Sequence, residues 1–262
     1  NKHIDGGKSL WDKFIIGAFQ ILKQNGYLCF ITPSGWRGPG VHYKMWELMR
    51  NKQILYLNIY SKQQGQQIFN VSSRFDVYVI ENKNNTKKTK IIDELGGVHM
   101  MRLNTMPFLP NYAYREIKKI LTTKEKGIDV IFDMNYHHQY PHVNKLKQGK
   151  FRFPVVHSIN KNGLTFVYSN TNKKGHFGVP KFILNKNEKQ YAYPEQNDYK
   201  GAYGLTDLSF AIPIKSKKEG QLILQAVGKP SFNKIIAATK WGIFQTYPKM
   251  FEYFKKDFYK FL

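Results

Sequence analysis

The sequence predicts an α/β first part built on a twisted sheet, followed by a mixed α+β second part. In the first part, segments with helical apolar periodicity alternate with short apolar runs typical of strands. A stretch rich in Asn and Lys, from 81 to 90, interrupts this pattern. Short strand-like pieces separated by Gly, Asn and Lys turns then follow. We therefore predict two domains, 1–95 and 96–262.

The first part reads as helix, strand, helix and two further strands. Apolar residues at steps of three and four predict a helix from Ser9 to Lys23. The run 27–32 is apolar without alternation, which is typical of a strand buried on both faces of a parallel sheet. The remaining elements are predicted at 43–50 (helix), 54–60 (strand) and 75–80 (strand).

The second part is predicted to hold short strands and then helices. The strands are expected at 151–153, 164–168 and 182–184, and the helices at 219–227 and 231–239. The last stretch, 248–262, places four phenylalanines on one helical stripe. We expect that stripe to dock on the second part; the alternative is a helix lying on a membrane surface.

Charge and composition restrict the class of partner. The 262 residues include 41 Lys and Arg against 18 Asp and Glu, a formal charge of 41 − 18 = +23. Such a surplus favours an anionic partner, with nucleic acid as the first candidate. The single cysteine, Cys29, excludes a disulfide framework and a thiolate zinc site, and we expect a reducing, cytoplasmic location. No apolar run approaches the ~20 residues that span a bilayer, so no membrane partner is expected.

A local group of histidines, His137, His138 and His142, is a candidate metal site. Metal ligation favours a rigid spacing such as i, i+4 on a helix, together with a carboxylate. Pro141 breaks any such helix. We therefore predict a polar surface loop and no metal.

Several segments share their order with a known enzyme family. In the first part these are LWDKF (10–14), LKQNGYLCFITPSGW (22–36) and QIFNVSSRFDVYVI (67–80). In the second part they are PVVHSIN (154–160), GHFGVPK (175–181) and YGLTD (203–207). Together they resemble the part of adenine-N6 DNA methyltransferases that follows their Asn-Pro-Pro-Tyr motif, in type II and type IIG restriction-modification systems.

The resemblance covers most of the chain and implies both its fold and its partners. It implies the C-terminal portion of a Rossmann-like methyltransferase sheet followed by a target-recognition domain. Two features of the family are absent: the Gly-rich cofactor loop and Asn-Pro-Pro-Tyr, since no Pro-Pro occurs in this sequence. We expect both to lie upstream of Asn1. The missing N-terminal part of the methyltransferase is then a partner, and this chain alone should not transfer methyl groups.

The resemblance also implies roles for residues of the first part. The family transfers a methyl group from S-adenosylmethionine to N6 of an adenine flipped out of double-stranded DNA. Phe69 matches a ring that stacks on the flipped base; the alternative is packing under the sheet edge. Leu10 and Phe14 match positions lining the cofactor pocket, with core packing as the alternative. Pro33 follows the carboxyl end of a predicted strand, where α/β sheets bind ligands, and is predicted to contact the cofactor.

Basic residues in loops form the predicted DNA contacts. Gly- and Asn-rich turns can enter a groove and reach phosphates. The alternative for each residue is an ordinary solvated turn. The predicted DNA-binding residues are Arg37, Lys161, Lys173, Lys174, His176, Lys181 and Lys240.

Three functions remain open at this point. The first is the C-terminal portion of a DNA adenine methyltransferase, enzymatic in its complete form. The second is a non-catalytic, sequence-specific DNA-binding module. The third, weaker reading is an RNA-binding protein with a decayed methyltransferase fold.

Overall fold

The computed structural model describes residues 10–39, 43–122, 126–186, 191–242 and 246–262. The chain divides into two compact units. The first unit comprises Asn1–Tyr112 with Trp241–Ile243, and the second comprises Ala113–Lys240 with Phe244–Leu262. Helices and mixed sheets occur in both units, which confirms the predicted fold class. The assignment of a catalytic part to 1–95 and a recognition part to 96–262 stays a prediction.

The first unit is built, in its described part, on one five-stranded sheet in the order β1-β3-β2-β4-β5. Strand β3 lies antiparallel to both β1 and β2, whereas β2 and β4 are parallel. The elements are α1 (Trp11–Ile21), β1 (Tyr27–Pro33), α2 (Tyr43–Asn51), β2 (Lys52–Tyr60), α3 (Lys62–Phe69), β3 (Phe75–Asn84), β4 (Thr89–Ile92) and β5 (Val98–Met101).

The prediction of a parallel strand buried on both faces at 27–32 is wrong for the described chain. Strand β1 forms one edge of the sheet and pairs antiparallel with β3. Its alternate residues Tyr27, Cys29 and Ile31 are exposed. An apolar run shows that a strand has two apolar faces, but it does not show what covers them.

Helix α1 also leaves apolar side chains uncovered. Ser9, the first residue of the predicted helix, lies outside the described residues. Of the residues of α1, Ile15 is buried, whereas Phe14 is 66% exposed and Ile21 is 86% exposed. The alternative that Leu10 and Phe14 are core residues is therefore wrong for the described chain, because both side chains are exposed.

A buried ion pair joins the 3₁₀ turn Ser34–Arg37, which follows β1, to β3. Nε of Arg37 donates to Oδ2 of Asp76 over 2.8 Å, and neither side chain is exposed. The Ser34 hydroxyl donates to the other Asp76 oxygen over 2.9 Å. Burial raises the pKa of Asp76, and the Arg37 guanidinium opposes that rise because it favours the ionised carboxylate.

The guanidinium of Arg37 reaches a third segment of the first unit. Its Nη1 donates to the carbonyls of Leu109 and Pro110, and its Nη2 donates to Oδ1 of Asn111 over 2.7 Å. One side chain therefore connects β3, the turn after β1 and the segment 109–111. Trp241 adds to this junction, because its indole N–H donates to the Leu109 carbonyl and its ring packs edge-on against Phe108.

The second unit is built, in its described part, on two four-stranded sheets, ordered β11-β10-β13-β6 and β12-β8-β9-β7. Its strands are β6 (Ile131–Phe132), β7 (Val143–Asn144), β8 (Phe153–Asn160), β9 (Gly163–Ser169), β10 (Lys181–Asn185), β11 (Asn197–Asp198), β12 (Gly204–Leu205) and β13 (Ser209–Pro213). Its helices are α4 (Tyr114–Ile120), α5 (Lys217–Val227) and α6 (Pro230–Ala238).

One apolar cluster joins the two sheets of the second unit. Val156 and Ile159 of β8 pack with Leu205 of β12, and these meet Ile183 of β10 and Ala211 of β13. All five side chains are buried. The short strands thus gain their stability from one shared core rather than from their own length.

The chain end does not form the predicted helix. Residues Pro248–Tyr253 and Phe258–Lys260 are short 3₁₀ segments. Phe251, Phe254 and Phe258 are nevertheless fully buried, as a docked segment requires. Among the described helices, not one is long and apolar enough to cross a bilayer.

We predict that Asp76→Asn destabilises the protein by about 3–5 kcal/mol, because it leaves the buried Arg37 charge without its partner. Glu47→Gln is the matched control. It removes an exposed carboxylate 3.9 Å from Arg50, so it should cost under ~1 kcal/mol. Urea denaturation gives the free energy of unfolding of each variant. Equal losses for the two variants would contradict the role given to the buried pair.

Candidate functional site

Helix α3 carries Phe69 to the surface of the first unit, and its sequence explains how. The Ser61 side chain accepts from the Gln64 backbone N–H while the Gln64 side chain accepts from the Ser61 N–H, which is a capping box. A Cβ at Gly65 would lie 2.1 Å from the Ser73 carbonyl oxygen, so only glycine lets α3 approach that segment. Asn70, with a φ of 55°, ends the helix in the left-handed region.

Three aromatic rings hold the end of α3 against the sheet. Phe69 contacts Phe75 edge to face, with ring centroids 4.9 Å apart. Phe75 in turn stacks on Tyr60, with centroids 4.4 Å apart. Phe75 is buried but Phe69 is 49% exposed. Phe69 is therefore the most exposed ring of the three and the one most accessible to a ligand.

An open cleft of about 350 Å³ lies beside this ring. Pro33, the last residue of β1, lines it together with Phe69, Val71 and Arg74. Pro33 is the register partner of Phe75, which explains why the end of β1 and the end of α3 meet here. The structure thus brings together two of the residues singled out from the sequence. Their roles stay predictions.

Arg74 supplies fixed charge at the edge of this cleft. Its guanidinium binds the Glu94 carboxylate with two nitrogens, at 2.8 and 3.0 Å. Partial burial lowers the pKa of the nearby Lys62, and the positive charge of Arg74 acts in the same direction. Because the charges of Arg74 and Glu94 neutralise each other, the lining of the cleft is mainly apolar.

The two other predicted cofactor residues line a different cavity. Leu10 and Phe14 border an apolar space of about 430 Å³ together with Phe30 of β1. Pro33 does not line it. The predicted set Leu10, Phe14 and Pro33 is therefore divided between two cavities, both of which touch β1.

Two of the predicted DNA contacts are wrong, because their charges are buried. The guanidinium of Arg37 is fully buried and makes its bonds inside the first unit. Lys181 is also fully buried. Its ammonium donates to Oδ2 of Asp198 over 2.9 Å and to the carbonyls of His176 and Val179. Burial lowers the pKa of Lys181, and the Asp198 carboxylate opposes that shift.

The other predicted DNA contacts lie at or near the surface of the second unit. Lys173 and Lys174 are exposed neighbours in the loop before β10, and Lys161 is exposed at the turn between β8 and β9. The half-buried His176 ring donates from Nε2 to the Phe132 carbonyl over 3.1 Å. The half-buried Lys240 ammonium lies 5.8 Å from the centre of the Tyr191 ring. Lys173, Lys174 and His176 share the loop between β9 and β10, whereas Lys161 and Lys240 lie in other segments.

A further group of cationic residues was not among the predicted DNA contacts. Lys145, Lys147, Lys150 and Arg152 surround the end of β7 and the approach to β8, and all four side chains are exposed. The sequence does indicate this group, because acidic residues are absent from the segment that contains it. Between Asp133 and Glu188 the sequence has nine lysines and arginines, five histidines and no aspartate or glutamate. Such a stretch cannot neutralise itself locally.

The histidine group lies in this same stretch. The rings of His137 and His138 are 4.2 Å apart between centroids, and Nε2 of His142 donates to the Asn135 carbonyl over 2.7 Å. Within the described residues, no group of three or more His, Cys, Asp or Glu side chains has a geometry suited to a metal ion.

No family model matches this sequence, and no curated protein matches it. Solved structures do. The type IIL restriction-modification enzyme MmeI in complex with DNA matches with a TM-score of 0.51 and 8% identity, over 83% of this chain and 37% of that chain. The type IIG restriction endonuclease BpuSI matches with a TM-score of 0.36 and 9% identity, over 86% of this chain and 39% of that chain. The chain thus spans under two fifths of either enzyme's length, and the match to MmeI shows a shared fold.

Proposed function

We propose that this chain is the C-terminal portion of a site-specific DNA methyltransferase that transfers a methyl group from S-adenosylmethionine to N6 of adenine, in a restriction-modification system. The observation that carries the proposal is the half-exposed ring of Phe69 on an open cleft at the end of β1. The fold shared with MmeI, a restriction-modification enzyme solved with DNA, supports the same class.

The cleft suits a flat aromatic ligand. A base stacked on an aromatic ring gains about 1–3 kcal/mol, which offsets part of the cost of unstacking it from the duplex. Phe75 supports the Phe69 ring from behind, so the ring is held in place before the base arrives. The residues of this chain thereby hold and orient the base.

The apolar cavity on α1 fits part of the cofactor. Leu10, Phe14 and Phe30 offer apolar contact to an adenine ring or a thioether, and Lys13 is the charged residue among those lining the cavity. When bound, S-adenosylmethionine would supply the methyl group. The residues of this chain would hold its apolar parts and exclude water from them.

The uncovered apolar surface of α1 and β1 supports a further methyltransferase segment as partner. Phe14, Ile21, Tyr27 and Ile31 are each more than half exposed. An exposed apolar edge strand is a template for pairing with another chain, and soluble proteins normally cover it. A strand added beside β1 and a layer over α1 would bury both surfaces. The proposed partner is the missing N-terminal part, with the Gly-rich loop and Asn-Pro-Pro-Tyr.

The second unit is proposed to bind the duplex around the target base. The charge of +23 and the stretch without acid from 134 to 187 supply the electrostatic attraction. Lys161, Lys173 and Lys174 remain as phosphate contacts on exposed turns. Arg37 and Lys181 are not part of this proposal.

The direct test of the proposed function is to express the intact gene in a host without DNA methylation and to map N6-methyladenine by sequencing. Methylated adenines at one recognition sequence are expected. Their absence, with the protein folded and present, would contradict the enzymatic proposal.

The separate DNA-binding module remains the second candidate. It is favoured by the compactness of the second unit and by its own shared core. Sequence-specific duplex binding by this chain, with no methylation by the intact gene, would select this candidate.

We predict that Phe69→Ala in the complete enzyme lowers turnover about 5- to 100-fold while changing duplex affinity by less than about threefold, because it removes the stacking ring. Phe69→Trp keeps a ring and should restore most of the activity. Val71→Ala is the matched control, since Val71 lines the same cleft without a ring. Single-turnover kinetics and the fluorescence of 2-aminopurine at the target position check this. Unchanged turnover and fluorescence in Phe69→Ala would remove Phe69 from the site.

We predict that duplex affinity falls steeply with salt, because each phosphate contact releases counterions. The double variant Lys173→Gln/Lys174→Gln should flatten the slope of log K against log salt by about 2. The control Lys87→Gln/Lys88→Gln removes the same charge from two adjacent exposed lysines of the first unit. Fluorescence anisotropy at several salt concentrations gives the slopes. Equal slopes for the two double variants would exclude Lys173 and Lys174 as phosphate contacts.

A further inference from the structure

A cleft lined by both polar and apolar side chains lies on the second unit. Its volume is about 400 Å³, and it is open to solvent. Strand β9 forms one wall and β8 contributes a single side chain. The cleft is lined by His138, Lys145, His157, Thr165, Phe166 and Val167.

His157 reaches this cleft because of an irregularity in β8. The pairing of β8 with β9 runs Val156 to Phe166 and then Ser158 to Thr165, so His157 is the extra residue of a β-bulge. A bulge turns one side chain away from the regular alternation and is common beside binding sites. The hydrogen bond from the Thr165 hydroxyl to the Ser158 carbonyl, 3.1 Å long, holds the strand beyond the bulge.

The ring of His157 is arranged to present a donor. Its Nδ1 is buried and, among the described residues, has no hydrogen-bond partner. An unpaired buried N–H is costly, so the neutral ring keeps its proton on Nε2. Burial lowers the pKa of His157, and the neighbouring His138 acts in the same direction.

The charges around the cleft select an anion. His137, His138 and Lys145 face His157 and disfavour its protonation, while Asp207 favours it. Lys145 is exposed, and within the described part of the chain no carboxylate pairs with it. The surrounding sequence, 134–187, has no acidic residue. A cation would be repelled by Lys145, whereas an oxyanion would gain both its charge and a hydrogen bond.

We infer that this cleft binds a phosphate group of the DNA backbone, with the Lys145 ammonium and the His157 ring N–H as its donors. The inference rests on the proposed DNA binding of the second unit and adds a defined contact to it. A phosphodiester has acceptor oxygens for both donors and carries one negative charge. Phosphate bound here would fix the register of the duplex against the β8–β9 hairpin without reading its sequence.

The test uses the 262-residue chain and a duplex, with affinity measured by fluorescence anisotropy. Lys145→Gln and His157→Gln should each weaken binding about tenfold at low salt. Lys145→Gln should also reduce the salt slope by about 1, whereas His157→Gln should leave it nearly unchanged at pH 8. The double variant should lose less than the product of the single losses, because both side chains bind one group.

The control variant is Lys118→Gln, which removes one exposed charge from α4 of the same unit. It should change affinity by less than about twofold. Thermal unfolding of each variant shows whether a loss of affinity comes from unfolding. Because the Lys145 side chain is exposed, Lys145→Gln should disturb folding less than His157→Gln.

A pH series separates a binding role of His157 from a structural one. The pKa of His157 is lowered in the free chain, and a bound phosphate raises it, so binding takes up protons. Affinity should therefore increase as the pH falls from 8 to 6. The increase should be about threefold smaller in His157→Gln. A structural role would weaken binding equally at both pH values.

The results of duplex binding and of phosphate titration decide whether the cleft binds a DNA phosphate. If the chain binds DNA and neither Lys145→Gln nor His157→Gln weakens it, the inference is overturned and the proposed function stands. If the chain binds no duplex at any salt, the proposed function fails, and titration with inorganic phosphate judges the cleft alone. A shift of the His157 ring resonances that Lys145→Gln abolishes would then support a site for free phosphate and overturn the DNA contact. The absence of any shift would overturn both the site for free phosphate and the DNA contact.

Discussion

The ion pair between Arg37 and Asp76 fixes the part of the first unit on which the Phe69 cleft depends. Asp76 directly follows Phe75 in β3, and Arg37 closes the 3₁₀ turn that directly follows Pro33. The pair therefore holds the segments that carry Pro33 and Phe75, two residues that line the cleft. A buried charge pair contributes little net stability compared with apolar packing, but it is costly to break. Its effect is to permit one geometry of the turn, which keeps Pro33 beside Phe75.

Four of the six described helices and the strands β1, β2, β3, β9 and β10 could be predicted from the sequence because their signals are local, whereas the predicted strand 151–153 meets only the first residue of β8. Apolar periodicity places α1, α5 and α6 within a few residues of their observed bounds. Helix α3 was missed because its run Lys62–Phe69 has few apolar residues and a central glycine. Its capping box was readable at Ser61 and Gln64. The packing that stabilises it, Gly65 against the backbone of Ser73, lies beyond any local pattern.

The errors in the candidate sites have one physical cause. Arg37 and Lys181 lie beside glycines and turns, where a charged residue normally faces solvent. Their partners Asp76 and Asp198 are 39 and 17 residues away in sequence. Whether a charge is buried depends on such distant partners, which a linear pattern does not contain. Lys173 and Lys174 are exposed, as the same reasoning predicts for charged residues in such turns.

The two units expose different kinds of surface. In the first unit it is apolar, because α1 and β1 expose Phe14, Ile21 and Ile31. In the second it is cationic, because the stretch 134–187 contains no acid. Apolar surface gains free energy when another protein layer covers it, whereas cationic surface gains when it displaces counterions from a polyanion. A chain with both surfaces is therefore suited to hold a protein layer on one unit and nucleic acid on the other. This difference between the two surfaces follows from solvation alone.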